Sequence, residues 1–309
     1  MAKTGTIGDT IFRSILLIFA AIIVLILVAI IVMMTAYSMP TIREFGLGFL
    51  IGSEWKPATN IFGALPFIYG TVVSSLIALI IAVPISLGIA VFLTEQAPPK
   101  LARPIAFMVE LLAAIPSVVY GLWGIFVLAP FIRNYLGWFL QEYFGFIPLF
   151  QGRLTGIGMF TGGLIMAIMV TPIITAVVRD VLEVVPTQQR EAALALGATK
   201  WETTQIVLAN AASGIAGAIV LGLGRALGET MAVTMVIGNS PQISSSLFEP
   251  AYTIASVLAA NFAEATDELY LSALIEMGLV LFLVTFIINA FAKLLVARVA
   301  KGAGTAKAT

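Results

Sequence analysis

Cysteine and histidine are both absent from the 309 residues of the chain. Without cysteine there are no disulfides and no thiol chemistry, and without histidine there is no imidazole for acid–base catalysis. The two absences also remove the side chains that hold most transition metals, so neither catalytic residues nor a metal site is expected. Charged residues are scarce, at 10% of the chain with a formal net charge of zero. This balance argues against nucleic-acid binding and against polybasic recognition of anionic lipid.

Hydrophobic residues make up 60% of the chain, and the mean hydropathy is +1.07. A water-soluble globule needs more polar surface than this, so the composition predicts a membrane protein. About 20 helical residues cross the hydrocarbon core of a bilayer, and six stretches are long enough. The six predicted spans are residues 15–34, 67–93, 105–131, 154–178, 214–237 and 271–292. We interpret the first as a retained anchor, because its apolar run exceeds a signal core and no A-x-A-like cleavage site follows.

The placement of Lys and Arg predicts the orientation of these spans. An even number of spans puts both termini on one side of the membrane. Eleven basic residues fall on that side: Lys3, Arg13, Lys100, Arg103, Arg179, Arg190, Lys200, Lys293, Arg298, Lys301 and Lys307. Four fall on the other side: Arg43, Lys56, Arg133 and Arg153. Because basic residues concentrate in cytoplasmic loops, both termini are predicted to be cytoplasmic.

Two further patterns concern the shape of the spans. The predicted outer connection at residues 132–153 is rich in aromatic residues, which favours an interfacial or re-entrant helix. Pro84, Pro116 and Pro172 lie inside predicted spans, where each removes one backbone hydrogen bond. They are either ordinary membrane prolines or hinges around a pathway. Ser117 and Tyr120 follow Pro116 and favour a polar lining near that kink.

The connection between the fourth and fifth spans has the punctuation of two short helices. After Pro186, Thr187 is predicted to cap a first helix, which Gly197 would end in a left-handed conformation. Thr199 and Glu202 match the S/T-x-x-E capping box and predict the start of a second helix that runs toward the membrane. Such a knob is either a surface amphipathic turn or a unit that inserts into a groove on another protein.

The stretch EAALALG at residues 191–197 contains the full pattern E-A-A-x-x-x-G. In this pattern the sequence resembles the membrane-spanning permeases of ATP-binding-cassette importers, whose EAA loop docks on ATPase subunits. The resemblance implies a coupling loop at residues 187–205. It assigns docking to Arg190, Glu191, Ala192, Ala193, Leu196, Gly197, Ala198, Thr199 and Trp201. The family pattern continues with I-x-L-P, whereas this chain has Asn210 in place of the proline, which predicts a differently shaped exit from the loop.

A nucleotide-binding motif is missing from the sequence. No G-x-x-x-x-G-K-[ST] occurs, so the chain has no P-loop to hold nucleotide phosphates. If ATP drives the protein, a separate subunit must bind it.

A charged pair lies within the fifth predicted span, in GLGRALGETMAV at residues 222–233. Counted from residue 214, Arg225 would lie about 16 Å into the span, near the midplane, with Glu229 one turn outward on the same face. An arginine at that depth costs about 2.5–3.5 kcal/mol on insertion scales, so its retention needs a reason. Either the two form a self-neutralising structural pair, or Arg225 attracts an anionic substrate and Glu229 tempers that attraction.

Other polar residues are candidates for the same pathway. Thr230 and Thr234 add hydroxyls one turn apart beside the pair, and Ser117 and Tyr120 complete the predicted substrate path. Glu110 and Glu276 also enter predicted spans and are weaker candidates.

Two stretches narrow the resemblance: IPSVVYGLWG at residues 115–124 and GLGRALGETMAVTMVIGN at residues 222–239. Together with the EAA loop they resemble the C-type permease subunits of Pst high-affinity phosphate importers. The resemblance implies a heterodimer with an A-type permease, two copies of an ATPase subunit inside and a phosphate-binding protein outside. It also implies that Arg225 and Glu229 take part in phosphate passage.

The sequence thus predicts an all-α polytopic membrane protein with six transmembrane helices and both termini cytoplasmic, in one permease domain over residues 1–309. From the resemblance we expect the type I importer permease fold and phosphate import, with no cofactor bound by this chain and ATP on a partner subunit. The residues alone leave sulfate or molybdate open as the transported oxyanion. They also leave open a secondary anion transporter that works without partners.

Overall fold

The computed structural model describes residues 7–305 and, within them, the side chains of residues 8–9 and 11–294. Four residues used to predict the orientation fall outside this description. Lys3 and Lys307 lie outside the described residues, and Arg298 and Lys301 lie outside the described side chains.

Within residues 7–305 the chain is mainly helical. The α-helices are α1 Ile7–Tyr37, α2 Met39–Phe45, α3 Gly48–Ile51, α4 Leu65–Val91, α5 Pro99–Ala114, α6 Ser117–Trp123, α7 Ala129–Phe131, α8 Gly137–Phe144, α9 Met159–Glu183, α10 Thr187–Ala195, α11 Lys200–Leu227, α12 Met231–Val236, α13 Ile254–Asn261 and α14 Glu268–Thr305. Two short strands, β1 Trp55–Lys56 and β2 Ile61–Phe62, pair antiparallel. The mainly helical chain confirms the predicted class, and this four-residue ribbon is a minor addition to it.

Six helical segments are long and apolar enough to cross a membrane, in agreement with the predicted number. They are Ile11–Tyr37, Leu65–Gln96, Ser117–Phe144, Met159–Glu183, Lys200–Leu227 and Glu268–Leu294. Segments one, two and six contain the predicted stretches almost unchanged. The other three have different bounds, each for a local reason.

The third predicted span, residues 105–131, is wrong. The chain breaks at Ile115, whose backbone is extended at φ −65° and ψ 129° because the following Pro116 disfavours the helical region. The spanning segment starts at Ser117 and stays helical to Phe144 through π turns at Gly124–Leu128 and Ile132–Leu136. The interfacial or re-entrant helix predicted in residues 132–153 is not a separate element, since most of those aromatic residues lie on the end of this helical segment. Their placement at the membrane interface stays a prediction.

The fourth and fifth predicted spans also start or end in the wrong place. Residues 154–158 precede α9 as irregular chain, with Gly156 at φ +83°. The fifth span was predicted at residues 214–237. Helix α11 instead begins at Lys200, ends at Leu227 and is separated from α12 by three residues that start with Gly228.

The centre of the bundle is the packing of α4 against α9, the most extensive helix contact in the described chain. Small residues allow the close approach: Ala78 and Ala82 of α4 are fully buried, and a Cβ on Gly163 of α9 would lie 2.6 Å from Ile77 Cγ2. Pro84 and Pro172 lie inside these two helices without ending them. Membrane helices commonly pack in this way through small residues.

Aromatic residues form a second core where the strands, α4, α13 and α14 meet. Trp55 lies with its ring centre 4.9 Å from that of Phe67 and 5.0 Å from that of Phe62, and Phe62 stacks on Tyr270 at 5.6 Å. Tyr252 packs on Phe67 at 5.3 Å. These rings tie the chain between α3 and α4 to the loop before α13.

The connection after α9 has the two predicted helices. Gly197 adopts φ +85°, and Thr199 and Glu202 form the predicted capping box, with Thr199 N donating to Glu202 Oε2 over 2.7 Å. Thr187 is not the cap: Pro186 holds that position, and no side chain caps α10. The second helix, α11, continues without interruption into the fifth span.

Candidate functional site

Arg225 lies in the last turn of α11, where the helix carbonyls point toward the C-terminal end. The negative end of the helix dipole favours a cation at this position. Its side chain is 48% exposed, and its Nη2 lies 3.2 Å from Oε2 of Glu229. About half of the Arg225 side chain therefore stays accessible although one of its nitrogens is paired.

Glu229 is the buried partner, with 5% of its side chain exposed. Its second oxygen, Oε1, accepts a hydrogen bond from the backbone N–H of Ala232 at 3.4 Å, at the start of α12. Both carboxylate oxygens thus have partners, which offsets the cost of burying the charge. The carboxylate is fixed between the end of one helix and the start of the next.

The pair has a different geometry from the one predicted. Arg225 and Glu229 do not lie on one face of a continuous helix, because α11 ends at Leu227 and Gly228 starts the break. They also follow a helix that begins at Lys200 rather than at residue 214, so the predicted depth was counted from the wrong start. The contact itself forms, since the break keeps the two side chains one turn apart.

Thr230 and Thr234 form hydrogen bonds with the backbone at the break between α11 and α12. Thr230 Oγ1 donates to the Gly228 carbonyl at 3.1 Å, and Thr234 Oγ1 donates to the Thr230 carbonyl at 2.6 Å. Both residues are half-buried. Asn239, which was not among the predicted site residues, donates from Nδ2 to the Thr234 carbonyl at 2.9 Å. The hydroxyl groups of Thr230 and Thr234 thus each donate their hydrogen to a backbone carbonyl, so toward a substrate they can act only as hydrogen-bond acceptors.

Ser117 and Tyr120 lie on α6, which packs directly against α12. The approach is close, because a Cβ on Gly121 would lie 2.5 Å from Met235 Sδ. Tyr120 is buried and donates its hydroxyl to the Leu112 carbonyl at 2.8 Å, across the break at Pro116. Tyr120 therefore braces α6 against α5. Ser117 is half-buried at the start of α6. The predicted path residues therefore lie on neighbouring helices, but their hydroxyl groups do not all line a single cavity.

The predicted coupling loop presents one exposed face. Leu194, Leu196 and Trp201 are 51%, 90% and 59% exposed, which is unusual for large apolar residues outside a lipid-facing helix. The polar and small residues beside them are exposed as well: Glu191, Ala192, Gly197 and Thr199. Ala193 is buried against the bundle and Ala198 is half-buried. The exposed members form an apolar surface rimmed by polar groups, typical of a protein contact.

Arg190 differs from the other predicted docking residues, because its guanidinium faces its own chain. Nη2 lies 2.7 Å from Glu95 Oε1 and Nε lies 3.1 Å from Oε2. The same guanidinium donates to the carbonyls of Val185 at 2.6 Å and Leu182 at 3.0 Å. Glu95 was not among the predicted site residues; its one signal in the sequence is a charge at the end of the second span.

Asn210, in the position of the family proline, lies inside α11. Its Nδ2 donates to Gln189 Oε1 at 2.7 Å and to the Ile206 carbonyl at 3.0 Å. The amide joins α11 to α10, which a proline side chain could not do.

The two weaker candidates lie in different surroundings. Glu110 pairs with Arg179 at 3.0 Å and links α5 to α9. Glu276 is a buried residue, 7% exposed, and its Oε2 has no hydrogen-bond partner in the described part of the chain. It borders an apolar groove between α14 and the segment of α2 and α3.

Comparison with known proteins identifies the group to which these features correspond. Residues 82–301 match the family model described as "Binding-protein-dependent transport system inner membrane component". Among curated proteins, "Phosphate transport system permease protein PstC" of Mesorhizobium japonicum is 46% identical over 296 residues, covering 94% of this chain and 90% of that protein. The protein of the same name from Xylella fastidiosa is 47% identical over 301 residues, with 96% and 93% covered. "Phosphate transport system permease protein PstC 2" of Mycobacterium tuberculosis is 39% identical over 295 residues, with 93% and 91% covered.

Among solved structures, a chain of the MetNI methionine ABC transporter in inward facing conformations superposes with a TM-score of 0.57. The match covers 75% of this chain and 94% of that chain at 18% sequence identity. At this identity the likeness shows the fold alone.

Proposed function

Because the chain belongs to the family of inner-membrane components of binding-protein-dependent transport systems, we propose that it is the permease subunit of an ATP-driven importer of inorganic phosphate. The chain is a multi-pass protein of the inner membrane and a transport subunit. The observation that supports phosphate as the substrate is the similarity to proteins named as phosphate permeases. Two of them are 46–47% identical to this chain, over at least 90% of this chain and of each relative.

The geometry supports an anion as the transported ion. Arg225 has a side chain that is 48% exposed and ends in a guanidinium, a group that binds phosphate through several N–H donors at once. The buried Glu229 holds part of that guanidinium at rest and keeps the local charge balanced. A phosphate that reaches Arg225 competes with Glu229 for the same donors, so it can bind and leave without facing an uncompensated cation.

The partners follow from the same proposal. A separate ATPase subunit binds ATP and docks on the exposed face of residues 187–205, which includes Leu196 and Trp201. This chain binds no cofactor of its own, in keeping with the lack of a P-loop sequence. A second, A-type permease completes the membrane part as a heterodimer, and a phosphate-binding protein delivers the anion from outside. Both termini and the coupling loop face the cytoplasm, where the ATPase lies.

The experiment is reconstitution. The chain is purified with its copurifying subunits, placed in liposomes, and assayed for ATP-dependent uptake of labelled phosphate against labelled sulfate. Phosphate uptake in competition with excess sulfate supports the proposal, whereas uptake of sulfate alone would assign another oxyanion. Liposomes that contain only this chain and an ion gradient serve as the control, since uptake there would identify a secondary transporter.

A further inference from the structure

We propose that Glu95 is a positioning residue for energy coupling, through which the coupling helix α10 is held to the membrane bundle. The inference rests on the proposed function. The residues that carry it are Glu95 and Arg190, which are 95 positions apart in the chain and meet at the same end of the bundle.

Arg190 and Glu95 are joined by more than one hydrogen bond. Arg190 reaches both oxygens of Glu95, with Nη2 to Oε1 at 2.7 Å and Nε to Oε2 at 3.1 Å. The side chains are 20% and 8% exposed, so water screens the pair little. A paired arginine fork of this kind fixes direction as well as distance.

The remaining donors of the same guanidinium bind the end of α9. Nη1 donates to the carbonyl of Val185, two residues beyond the end of α9, and Nη2 donates to the carbonyl of Leu182 in its last turn. Glu95 itself belongs to the π turn Phe92–Gln96 that closes the second span. One side chain of α10 therefore fixes the second and fourth spans together.

The neighbouring residue on α10 makes the connection to the fifth span. Gln189 accepts a hydrogen bond from Asn210 of α11 at 2.7 Å. Consecutive residues Gln189 and Arg190 thus attach α10 to three spans. The opposite face of α10 remains exposed, which leaves it open to a partner.

The attachment of α10 to three spans allows movement of α10 to be transmitted to the membrane bundle. A force applied to the exposed face of α10 is transmitted to the spans only if α10 does not move independently of them. The carboxylate of Glu95 supplies the buried charge that keeps Arg190 in place, so its loss should leave the subunits assembled while separating ATP hydrolysis from transport. The α11 segment, with Arg225 at its far end, belongs to the same unit.

The absence of native cysteine allows a direct test by spin labelling. Labels at Gln96→Cys and Gln188→Cys, both exposed positions, report the distance between the end of the second span and α10 in the intact chain in lipid nanodiscs. Glu95→Gln and Arg190→Gln should each broaden the distance distribution. The double variant should be no broader than either single variant, because the two residues act as one unit. Glu183→Gln, an exposed carboxylate at the end of α9, is the matched control and should leave the distribution narrow.

The functional readout is phosphate taken up per ATP hydrolysed by the reconstituted complex. Glu95→Gln should lower this ratio several-fold while the ATPase subunit still copurifies. If Glu95→Gln does not fold, Glu95→Asp, which keeps the charge and shortens the reach, should give an intermediate broadening. An unchanged distance distribution in a folded Glu95 variant, or an unchanged uptake ratio, overturns the inference. The distance measurement needs no substrate, so an incorrect substrate assignment would leave its result intact.

Discussion

Arg225 and Glu229 form their 3.2 Å ion pair across the end of a helix rather than along one. Arg225 belongs to the last turn of α11, and Glu229 lies two residues beyond its end, bonded to the N–H of Ala232. The buried carboxylate is fixed at two points, whereas the Arg225 side chain is about half exposed. Of the two charges, the cation is therefore the one that can exchange partners with an incoming anion.

Replacement of Arg225 should strongly reduce transport with little effect on assembly. Arg225→Gln removes the charge-assisted hydrogen bonds to the anion, each worth about 1.5–3 kcal/mol, so ATP-dependent phosphate uptake should fall about 10- to 100-fold. The measurement is uptake into proteoliposomes at equal amounts of assembled complex. Arg133→Gln, at an exposed arginine of the third spanning segment, is the control and should transport normally. Undiminished uptake by Arg225→Gln would remove Arg225 from the path.

Replacement of Glu229 should slow the release of the anion rather than weaken its binding. Glu229→Gln keeps an oxygen for the Ala232 N–H but removes the charge that competes with the anion for Arg225. We expect a lower maximal rate of phosphate uptake and an unchanged or lower KM. Uptake kinetics as a function of phosphate concentration check this. A raised KM with a full maximal rate would contradict the role of a resting partner.

Structural features that depend on residues close together in the sequence could be predicted from the sequence. Hydropathy predicted six spans, and the spacing of Thr199 and Glu202 predicted the cap of α11, because each signal depends on neighbouring residues only. Hydropathy did not detect the breaks at Ile115 and Gly228, since apolar residues continue on both sides of them. Pro116 was seen in the sequence, but proline is tolerated inside α4 and α9, so its presence alone does not predict a break.

The candidate site was predicted in its members but only partly in its arrangement. Arg225 and Glu229 were recognised because charges are rare and costly in an apolar segment. Glu95 was missed because its partner, Arg190, is 95 residues away, and only the packing of the second span against the loop brings them together. The roles of the hydroxyls depend on helix breaks, so Tyr120 could not be distinguished as a brace before the structure was known.

The turn between α10 and α11 depends on Gly197. Its φ of +85° lies in the left-handed region, and a Cβ there would meet no atom within 4 Å, so the effect of substitution is backbone strain alone. Gly197→Val should cost about 1–2 kcal/mol locally, raise hydrogen exchange in α10 and reduce copurification of the ATPase subunit. Gly197→Asn should behave nearly as the parent, because asparagine tolerates this conformation. Equal retention of the ATPase by the two variants would argue against a docking role of the turn.

Tyr252 should make stability depend on pH at the alkaline end. Burial raises the pKa of its hydroxyl from 10.0 to about 12, with smaller contributions from Tyr270 and Glu264. The neutral hydroxyl donates to Asn261 Oδ1 at 2.9 Å. Because the folded state favours the neutral form, this stabilisation is complete below pH 10 and is lost as the pH rises from 10 to about 12.

Two measurements check the Tyr252 prediction. Tyrosinate absorbance at alkaline pH should lack one late-titrating group in Tyr252→Phe, and the thermal unfolding temperature of that variant should change less between pH 10 and 12. Tyr143→Phe, at an exposed tyrosine, is the control: it should keep the late-titrating group and leave the pH dependence of the unfolding temperature as in the parent. An identical pH profile for Tyr252→Phe and the parent would show that Tyr252 titrates normally.

Two glycines of α4 should respond oppositely to the same substitution. A Cβ on Gly70 would lie 2.1 Å from the Tyr252 carbonyl oxygen, a backbone atom that cannot move aside alone, whereas a Cβ on Gly88 would meet no atom within 4 Å. Gly70→Ala should therefore destabilise the protein by about 1–3 kcal/mol through overpacking against the loop before α13. Gly88→Ala should be neutral or stabilising by up to about 1 kcal/mol, because alanine favours the helix. The difference between the two thermal unfolding temperatures is the measurement, and it tests the packing of α4 on that loop directly. Equal temperatures would mean that the loop is not seated against Gly70, and the aromatic core around Tyr252 and Phe67 would lose one of its supports.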